Sequence, residues 1–178
     1  MTAASADQWV PVQPGWEGYL ALSLAYVIIS EGLEADGVDV DALTDGRGVG
    51  ALDAFRPEIA GSRIGLPDRL RGETPSEFIT GLAREFATKG PSLAIGGGSA
   101  GAHTNGLFNL EAIYALNYLV GSVGAKGGIR FNPAPPIDDL PASADVASLA
   151  DWLSAAEGLN GGRTKLVVVH QADPVHGL

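Results

Sequence analysis

The chain has 178 residues, enough for one domain with a hydrophobic core, and its apolar residues are mostly aliphatic, because hydrophobic types make up 46% and aromatic types only 7%. The formal net charge is −10, from 21 acidic and 11 basic residues, so nucleic acid is not an expected partner. Cysteine is absent, which excludes disulfides, thiolate catalysis and cysteine-ligated iron–sulfur clusters within this chain. The three histidines are scattered, and we expect no metal ligand here.

The first predicted elements are a short strand over Gln8–Val12 and a helix from about Glu17 to Gly32, joined by the turn Pro14-Gly15. The helix is apolar on nearly every side, which indicates burial between other elements. Gly32 is typical of a helix C-terminus. Residues 34–72 are rich in Asp and Gly and show little periodicity, so they predict loops with at most short helical turns.

A capping box predicts the next helix. Thr74 can cap, Pro75 suits the first helical position and Glu77 completes the box, so the helix should run to about Thr88. The later predicted elements are a short buried strand over Ser92–Ile95, a helix from about Asn105 to Val120, a helix from about Val146 to Ala156, and a last strand over Lys165–His170. Helices and strands in this order predict a single α/β domain over residues 1–178, with a mostly parallel, Rossmann-like sheet flanked by helices.

A glycine loop, Gly96–Gly101, follows the predicted strand and formally matches the dinucleotide-binding fingerprint. Small residues there would let backbone amides approach a phosphate at a helix N-terminus. The helix begins several residues too late, however, and no acidic residue follows at the distance that a ribose would require. A tight turn whose glycines serve packing alone is the alternative interpretation.

Polar residues immediately beyond the loop favour a ligand site. They are Ser99, His103, Thr104, Asn105 and Gly106. Such a set at the end of a strand lies where open α/β sheets bind ligands. It offers hydrogen-bond donors and acceptors, but no nucleophile with a partnered base. The sequence therefore predicts a site that holds a ligand and does no chemistry of its own.

Three segments together resemble the large subunit of the dimethyl sulfoxide reductase superfamily of molybdopterin oxidoreductases. They read ADQWVPVQPGWEGYLALSLAYVIISEGL near the start, PSLAIGGGSAGAHTNGLFNLEAIYALNYLVGSVGAKGGI in the middle, and TKLVVVHQADPVHGL at the end. The wording around HTNG and LNYLVGSVGAKGG is most similar to the branch that holds polysulfide-reductase-like enzymes and the molybdopterin-like subunit of alternative complex III. Because family members are several times longer, the resemblance implies an internal fragment or a split part of such a subunit.

The resemblance implies that this chain helps to bind molybdopterin guanine dinucleotide. The segment matching Pro14–Glu17 would contact the guanine end, where the family usually has Asp in place of Glu17. The stretch matching Gly98–Gly106 would lie near the pterin together with Asn117, and Asp173 would face a nucleotide. The residues assigned to cofactor binding are Pro14, Gly15, Glu17, Gly97, Gly98, Ser99, His103, Thr104, Asn105, Gly106, Asn117 and Asp173.

The implied partners are the remainder of a molybdopterin-like subunit and an iron–sulfur protein in a respiratory electron-transfer complex, for which a link to quinol is one option. The longest apolar run, Tyr19–Ile29, is shorter than the roughly 20 residues of a membrane span, so we expect membrane association only through partners, as a peripheral part of a respiratory complex. The chain is not expected to be catalytic alone. If the cofactor cavity is empty, the chain would instead scaffold a neighbouring iron–sulfur domain. Two alternatives stay open: a free-standing nucleotide-binding module, and a purely structural subunit with no cofactor.

Overall fold

A computed structural model describes residues 5–133, 148–163 and 165–167. The chain divides into two compact units, Met1–Asn132 and Pro133–Leu178. The described part of the first unit contains five α-helices and two 3-10 helices, and the described part of the second contains one α-helix.

Helix α1, Glu17–Ser30, is the centre of the first unit, because it packs against α-helices on more than one side and against the first 3-10 helix. Its end is the one that the sequence predicts. Gly32 has φ +65°, its N–H donates to Ile29 O (3.3 Å), and the Leu33 N–H donates to Ile28 O (2.9 Å). These two bonds form a Schellman motif, which satisfies carbonyls at the end of the helix.

The region predicted to be loop-rich contains three short helices. They are α2 (Val40–Thr44), the first 3-10 helix (Gly48–Phe55) and α3 (Pro57–Arg63). Helix α2 begins where the Asp39 side chain accepts a hydrogen bond from the Ala42 N–H. Short elements of this kind depend on local caps and on tertiary packing, which explains why apolar periodicity did not reveal them.

Helix α4, Pro75–Thr88, begins with the predicted capping box. The Thr74 side chain accepts from the Glu77 N–H, and the Glu77 carboxylate accepts from the Thr74 N–H (2.9 Å). This helix packs against α1 and α3. Its apolar face carries the buried residues Phe78, Ile79 and Ala83. The helix predicted from the capping box and from the apolar pattern is therefore confirmed.

Helix α5, Gly106–Leu119, packs against α1 and completes the core of the first unit. The second 3-10 helix, Gly98–Gly101, lies against the start of α5. The largest fully buried apolar side chains are Ile28, Ile64, Ile79 and Leu119. They come from α1, from the residue that ends α3, from α4 and from α5, so one continuous aliphatic core fixes where α5 and the glycine loop lie.

The predicted Rossmann-like parallel sheet is wrong. Among the described residues no strand is present, and the architecture is mostly helical. Two isolated bridges, Leu70 with Glu73 and Val123 with Ile129, are the ladder contacts found there. Residues 8–12 and 92–95 are not strands, and neither are 165–167, while the rest of the last predicted strand lies outside the described residues.

The physical reason is visible at the apolar run before the glycine loop, where a side chain replaces a neighbouring strand. The Ala94 N–H donates to the Asn117 side chain (2.8 Å), and the Ala94 carbonyl accepts from the same amide group (2.8 Å). The Ile95 side chain is 76% exposed, although it was expected to be buried. A helix side chain therefore takes the role that a second strand would have in a sheet.

In the second unit, α6 spans Leu149–Asn160. The Ser148 side chain accepts from the Asp151 N–H, and Asp151 completes a capping box. The predicted helix over residues 146–156 is thus present with shifted ends. None of the helices that the structure describes combines the length and the apolar character of a membrane span.

Candidate functional site

A cleft of about 450 Å³, here called the first cleft, lies between the turn that precedes α1 and the start of α5. Aromatic rings and neutral polar groups make up most of its lining. The lining residues are Pro14, Gly15, Trp16, Tyr19, His103, Thr104, Asn105, Phe108 and Asn109. Five of the residues predicted to bind a cofactor are therefore brought together here, although residues 15 and 103 are far apart in the chain.

Two asparagines of the α5 region hold the turn before α1. Asn105 Nδ2 donates to the Gly15 carbonyl at 2.8 Å, and Asn109 Nδ2 donates to the same oxygen at 3.1 Å. Gly15 has φ +87°, a conformation that favours glycine. The wall of the first cleft is thus fixed by hydrogen bonds across two elements as well as by packing.

His103 lies directly over this glycine. A Cβ atom added to Gly15 would lie 3.3 Å from His103 Cγ and 3.4 Å from its Cδ2. The imidazole therefore packs on the backbone of the turn, at a place where a side chain would crowd it. Since His103 is also exposed, its ring edge remains accessible from the first cleft.

A second cleft, of about 400 Å³, lies on the other side of the turn and is mostly apolar. The predicted residues Glu17, Gly97 and Ser99 line it, together with aliphatic residues of α1 and α5. Glu17 is already engaged, because its Oε2 accepts a hydrogen bond from the Gly15 N–H at 2.8 Å. Eight of the twelve predicted site residues are therefore divided between two clefts, five in the first and three in the second.

The glycine loop packs closely beneath the start of α5. A Cβ atom on Gly106 would lie 2.2 Å from the Gly101 carbonyl oxygen, and one on Gly96 would lie 2.8 Å from Leu110 Cδ2. Gly98 begins the second 3-10 helix with φ +50°. These approaches favour the packing interpretation of the loop, since α5 does not follow a strand and begins five residues after Gly101.

Asn117, predicted to lie near the pterin, is fully buried. Its amide group bonds both the N–H and the carbonyl of Ala94 and makes a longer contact of 3.4 Å with the Tyr114 carbonyl. Its side chain therefore holds the segment before the glycine loop against α5. Asp173, the remaining predicted residue, lies outside the described residues.

Sequence reasoning did not single out Trp16, Tyr19, Phe108 or Asn109 as parts of the site. A signal for Asn109 was available, because Asn105 and Asn109 are four residues apart and lie on one face of a helix. A polar residue among the apolar residues of a buried helix face requires hydrogen-bond partners, and these have to come from another element.

No lysine, arginine or carboxylate is among the described residues that line the first cleft. The carboxylates of the first unit with a lowered pKa lie elsewhere. A hydrogen bond from Arg84 lowers the pKa of Glu31, and hydrogen bonds from the backbone and side chain of Thr74 lower the pKa of Glu77. Across the described ranges, no cluster of three or more histidine or carboxylate side chains could hold a metal ion. The aromatic and neutral polar lining of the first cleft can bind and orient a flat polar molecule.

Comparison with known proteins gives several reductase subunits as relatives. The chain is 32% identical to the menaquinone reductase, molybdopterin-binding-like subunit of Nitratidesulfovibrio vulgaris, over 99% of this chain and 24% of that protein. It is 31% identical to a probable dimethyl sulfoxide reductase chain of Escherichia coli, over 71% of this chain and 17% of that protein. It is 28% identical to the arsenate respiratory reductase molybdopterin-containing subunit of Chrysiogenes arsenatis, over 79% and 18%. No protein-family profile matches the chain.

Proposed function

Because the chain belongs to the dimethyl sulfoxide reductase superfamily of molybdopterin oxidoreductases, we propose that its first unit forms part of the cavity that holds molybdopterin guanine dinucleotide. The single observation that carries this proposal is the first cleft, which gathers Pro14, Gly15, His103, Thr104 and Asn105 from two distant parts of the chain. These five residues are proposed to contact the cofactor.

The lining chemistry fits the flat heterocyclic parts of such a cofactor. Trp16 and Phe108 offer aromatic surface, since they are 39% and 43% exposed, and the buried Tyr19 ring packs on Trp16. Guanine and pterin rings stack on such surfaces, and their edges carry donors and acceptors that amide and hydroxyl side chains can bond. Asn105 and Thr104 supply these groups at the cleft.

The diphosphate of the cofactor fits both clefts less well than the heterocycles fit the first cleft. No lysine or arginine is among the described residues that line them, and Glu17 adds a carboxylate to the second. Phosphate groups are normally neutralised by cationic side chains or by backbone amides. We therefore assign the heterocycle to the first cleft and expect other polypeptide to supply the positive charge for the phosphates.

The cofactor, when bound, supplies the redox chemistry, whereas the residues of this chain bind and orient it. Glu17 accepts the Gly15 N–H and so maintains the turn. Asn105 holds the Gly15 carbonyl and lines the first cleft. In this proposal the chain contributes shape and hydrogen bonds to the cavity.

The chain spans less than a quarter of the length of each of the three relatives described above. We therefore propose that the activity belongs to a larger protein, which transfers electrons in a multisubunit respiratory complex with an iron–sulfur partner. A link to quinol and a peripheral position at the membrane are part of the same proposal. One relative's name, menaquinone reductase, supports the link to quinones.

The test uses the native protein, purified with the polypeptides that accompany it. Acid denaturation should release guanosine monophosphate and a pterin that becomes fluorescent on oxidation, in a fixed ratio to protein. Trp16→Ala should lower this content roughly ten-fold, because stacking of one base on an aromatic ring contributes about 1–3 kcal/mol.

Trp9→Ala is the matched control, because Trp9 is 66% exposed in the same unit and does not line the first cleft. It should retain the native cofactor content. Equal losses in both variants would contradict the assignment of the first cleft. A native protein without pterin or guanosine phosphate would refute the proposal and favour the purely structural alternative.

The free-standing nucleotide-binding module gains no support from the described residues. No strand precedes the glycine loop there, and Gly96, Gly101 and Gly106 are used for close packing. Both features depart from the dinucleotide-binding fingerprint, which needs a strand, a tight turn and a helix that begins at the phosphate.

A further inference from the structure

Asn109 connects three segments from inside the protein. Its side chain is fully buried. The two N–H groups of its amide donate to Gly15 O (3.1 Å) and Ala100 O (3.0 Å), and its Oδ1 accepts from the Gly18 N–H (3.1 Å). Both donors are therefore used, and one side chain joins the turn before α1, the first turn of α1 and the glycine loop.

Gly18 provides the space for this side chain. A Cβ atom on Gly18 would lie 2.6 Å from Asn109 Oδ1 and 2.7 Å from Asn109 Cα. Contacts under 3.0 Å with backbone do not occur without a shift of the chain, so α1 and α5 approach each other here as only glycine allows. The close approach and the hydrogen bonds thus depend on the same pair of residues.

Asn105, one helical turn earlier, differs from Asn109 although it bonds the same Gly15 carbonyl. Asn105 is exposed and lies at the mouth of the first cleft, and its hydrogen bond at 2.8 Å links it to Gly15 alone among the three segments. Asn109 reaches the glycine loop as well. Both residues hold the Gly15 turn, so a comparison between them isolates the bonds that Asn109 alone makes to Gly18 and Ala100.

We propose that Asn109 is a positioning residue, which sets the Gly15 turn and the Gly98–Gly101 loop at a fixed distance and so determines the shape of the first cleft. Its amide has no N–H left for a ligand, because both are used inside the protein. The part of this inference that concerns the cofactor rests on the proposed function. The part that concerns the geometry does not.

Hydrogen–deuterium exchange of the native, full-length protein tests the geometry. Asn109→Leu keeps the number of side-chain heavy atoms and removes these three hydrogen bonds, together with the longer contact of 3.5 Å from Asn105 Nδ2 to Asn109 Oδ1. It should raise exchange roughly ten-fold in peptides covering residues 15–20 and 97–104, since one lost hydrogen bond of ordinary strength changes an opening equilibrium by about that factor. The peptide covering α4 should exchange as in the native protein. Content of guanosine phosphate should fall by a similar factor.

Asn105→Ala is the control, and it should reduce cofactor content while leaving exchange of residues 97–104 unchanged. Gly18→Ala, which presses a methyl group on the Asn109 amide, should reproduce the local pattern of Asn109→Leu and serves if that variant does not fold. Faster exchange throughout, α4 included, would reduce Asn109 to a general stabilising residue and overturn the inference, as would unchanged exchange. If the native protein holds no cofactor, the proposed function fails, and the exchange measurement still decides the role of Asn109.

Discussion

Helix α1 has two kinds of neighbour, and the two contacts are built differently. Its contact with α5 depends on Gly18, Asn109 and a set of directional hydrogen bonds next to the first cleft. The part of the core that α4 provides consists of Phe78, Ile79 and Ala83, which are buried and apolar. Near the first cleft the α5 contact is therefore specified by hydrogen-bond geometry in addition to apolar packing. The buried part of the α4 contact is apolar, and the Arg84–Glu31 ion pair on that side lies at the surface.

The difference indicates a division of tasks between stability and shape. Burial of apolar area is favourable in many similar arrangements, because it has no preferred direction. Buried amide hydrogen bonds contribute little net free energy, but they are costly to leave unmade and so exclude neighbouring arrangements. We expect the α4 side to determine the free energy of unfolding and the α5 side to determine the geometry of the first cleft.

The largest expected change in the free energy of unfolding comes from the apolar residues of α4. Ile79 is fully buried in α4, and Ile79→Ala should lower the free energy of unfolding by about 2–5 kcal/mol, because it removes buried methyl groups and leaves a cavity. Thermal and denaturant unfolding measure this loss. At temperatures where the variant is folded, its content of guanosine phosphate should match that of the native protein.

Ile59→Ala is the matched control, since Ile59 is 37% exposed in α3 and undergoes the same substitution. It should cost much less, because part of its side chain is already in water. If the two substitutions had similar effects, or if Ile79→Ala emptied the first cleft while folded, the proposed division between the two contacts would be wrong.

The next largest effect is expected from alanine substitution of two helical glycines, which should change the free energy of unfolding in opposite directions. Gly106→Ala places a methyl group 2.2 Å from the Gly101 carbonyl oxygen and should destabilise the protein by about 1–3 kcal/mol through overpacking. Gly81, in the middle of α4, has open space around it, because a Cβ atom added there would meet nothing within 4 Å. Gly81→Ala should therefore stabilise the protein by about 0.5–1 kcal/mol. Chemical denaturation of both variants measures the contrast, and a destabilising Gly81→Ala would show that α4 is constrained in a way that packing does not explain.

The longer helices could be predicted from the sequence, because their signals are local, whereas the short helices between residues 40 and 63 could not. The capping box at Thr74 and Glu77 and the glycine at position 32 act within a few residues, and both are found as predicted. That the apolar run would not join a sheet could not be predicted, because strand pairing depends on a partner far along the chain. The apolar run at Ala94 has the side chain of Asn117 as its partner, which no periodicity in residues 92–95 indicates.

The candidate site was predicted only in part, because some of its residues are neighbours in the sequence and others meet only in the folded chain. His103, Thr104 and Asn105 are polar neighbours in sequence, and with Pro14 and Gly15 they line one cleft. The separation of Glu17 into the second cleft depends on how α1 crosses α5, which is a tertiary property. A sequence shows that Asn109 is polar on a helix, but the carbonyl oxygens that it bonds are nine and ninety-four residues away.

The smallest expected effect comes from the charge at the start of α4. The backbone N–H and the hydroxyl of Thr74 donate to the Glu77 carboxylate and lower its pKa from the ordinary value of 4.5. A carboxyl group with a lowered pKa in the folded state stabilises the protein above its unfolded-state pKa, and this contribution is lost as the pH falls through the folded-state value. Glu77→Gln keeps an acceptor for the Thr74 N–H and removes the charge. The native protein should therefore be slightly more stable than Glu77→Gln at pH 7, and the two free energies of unfolding should converge as the pH falls through the lowered pKa of Glu77. If the difference between the two free energies of unfolding did not change down to acidic pH, the carboxylate charge would not stabilise the N-terminus of α4. The capping box would then act through its hydrogen bonds alone.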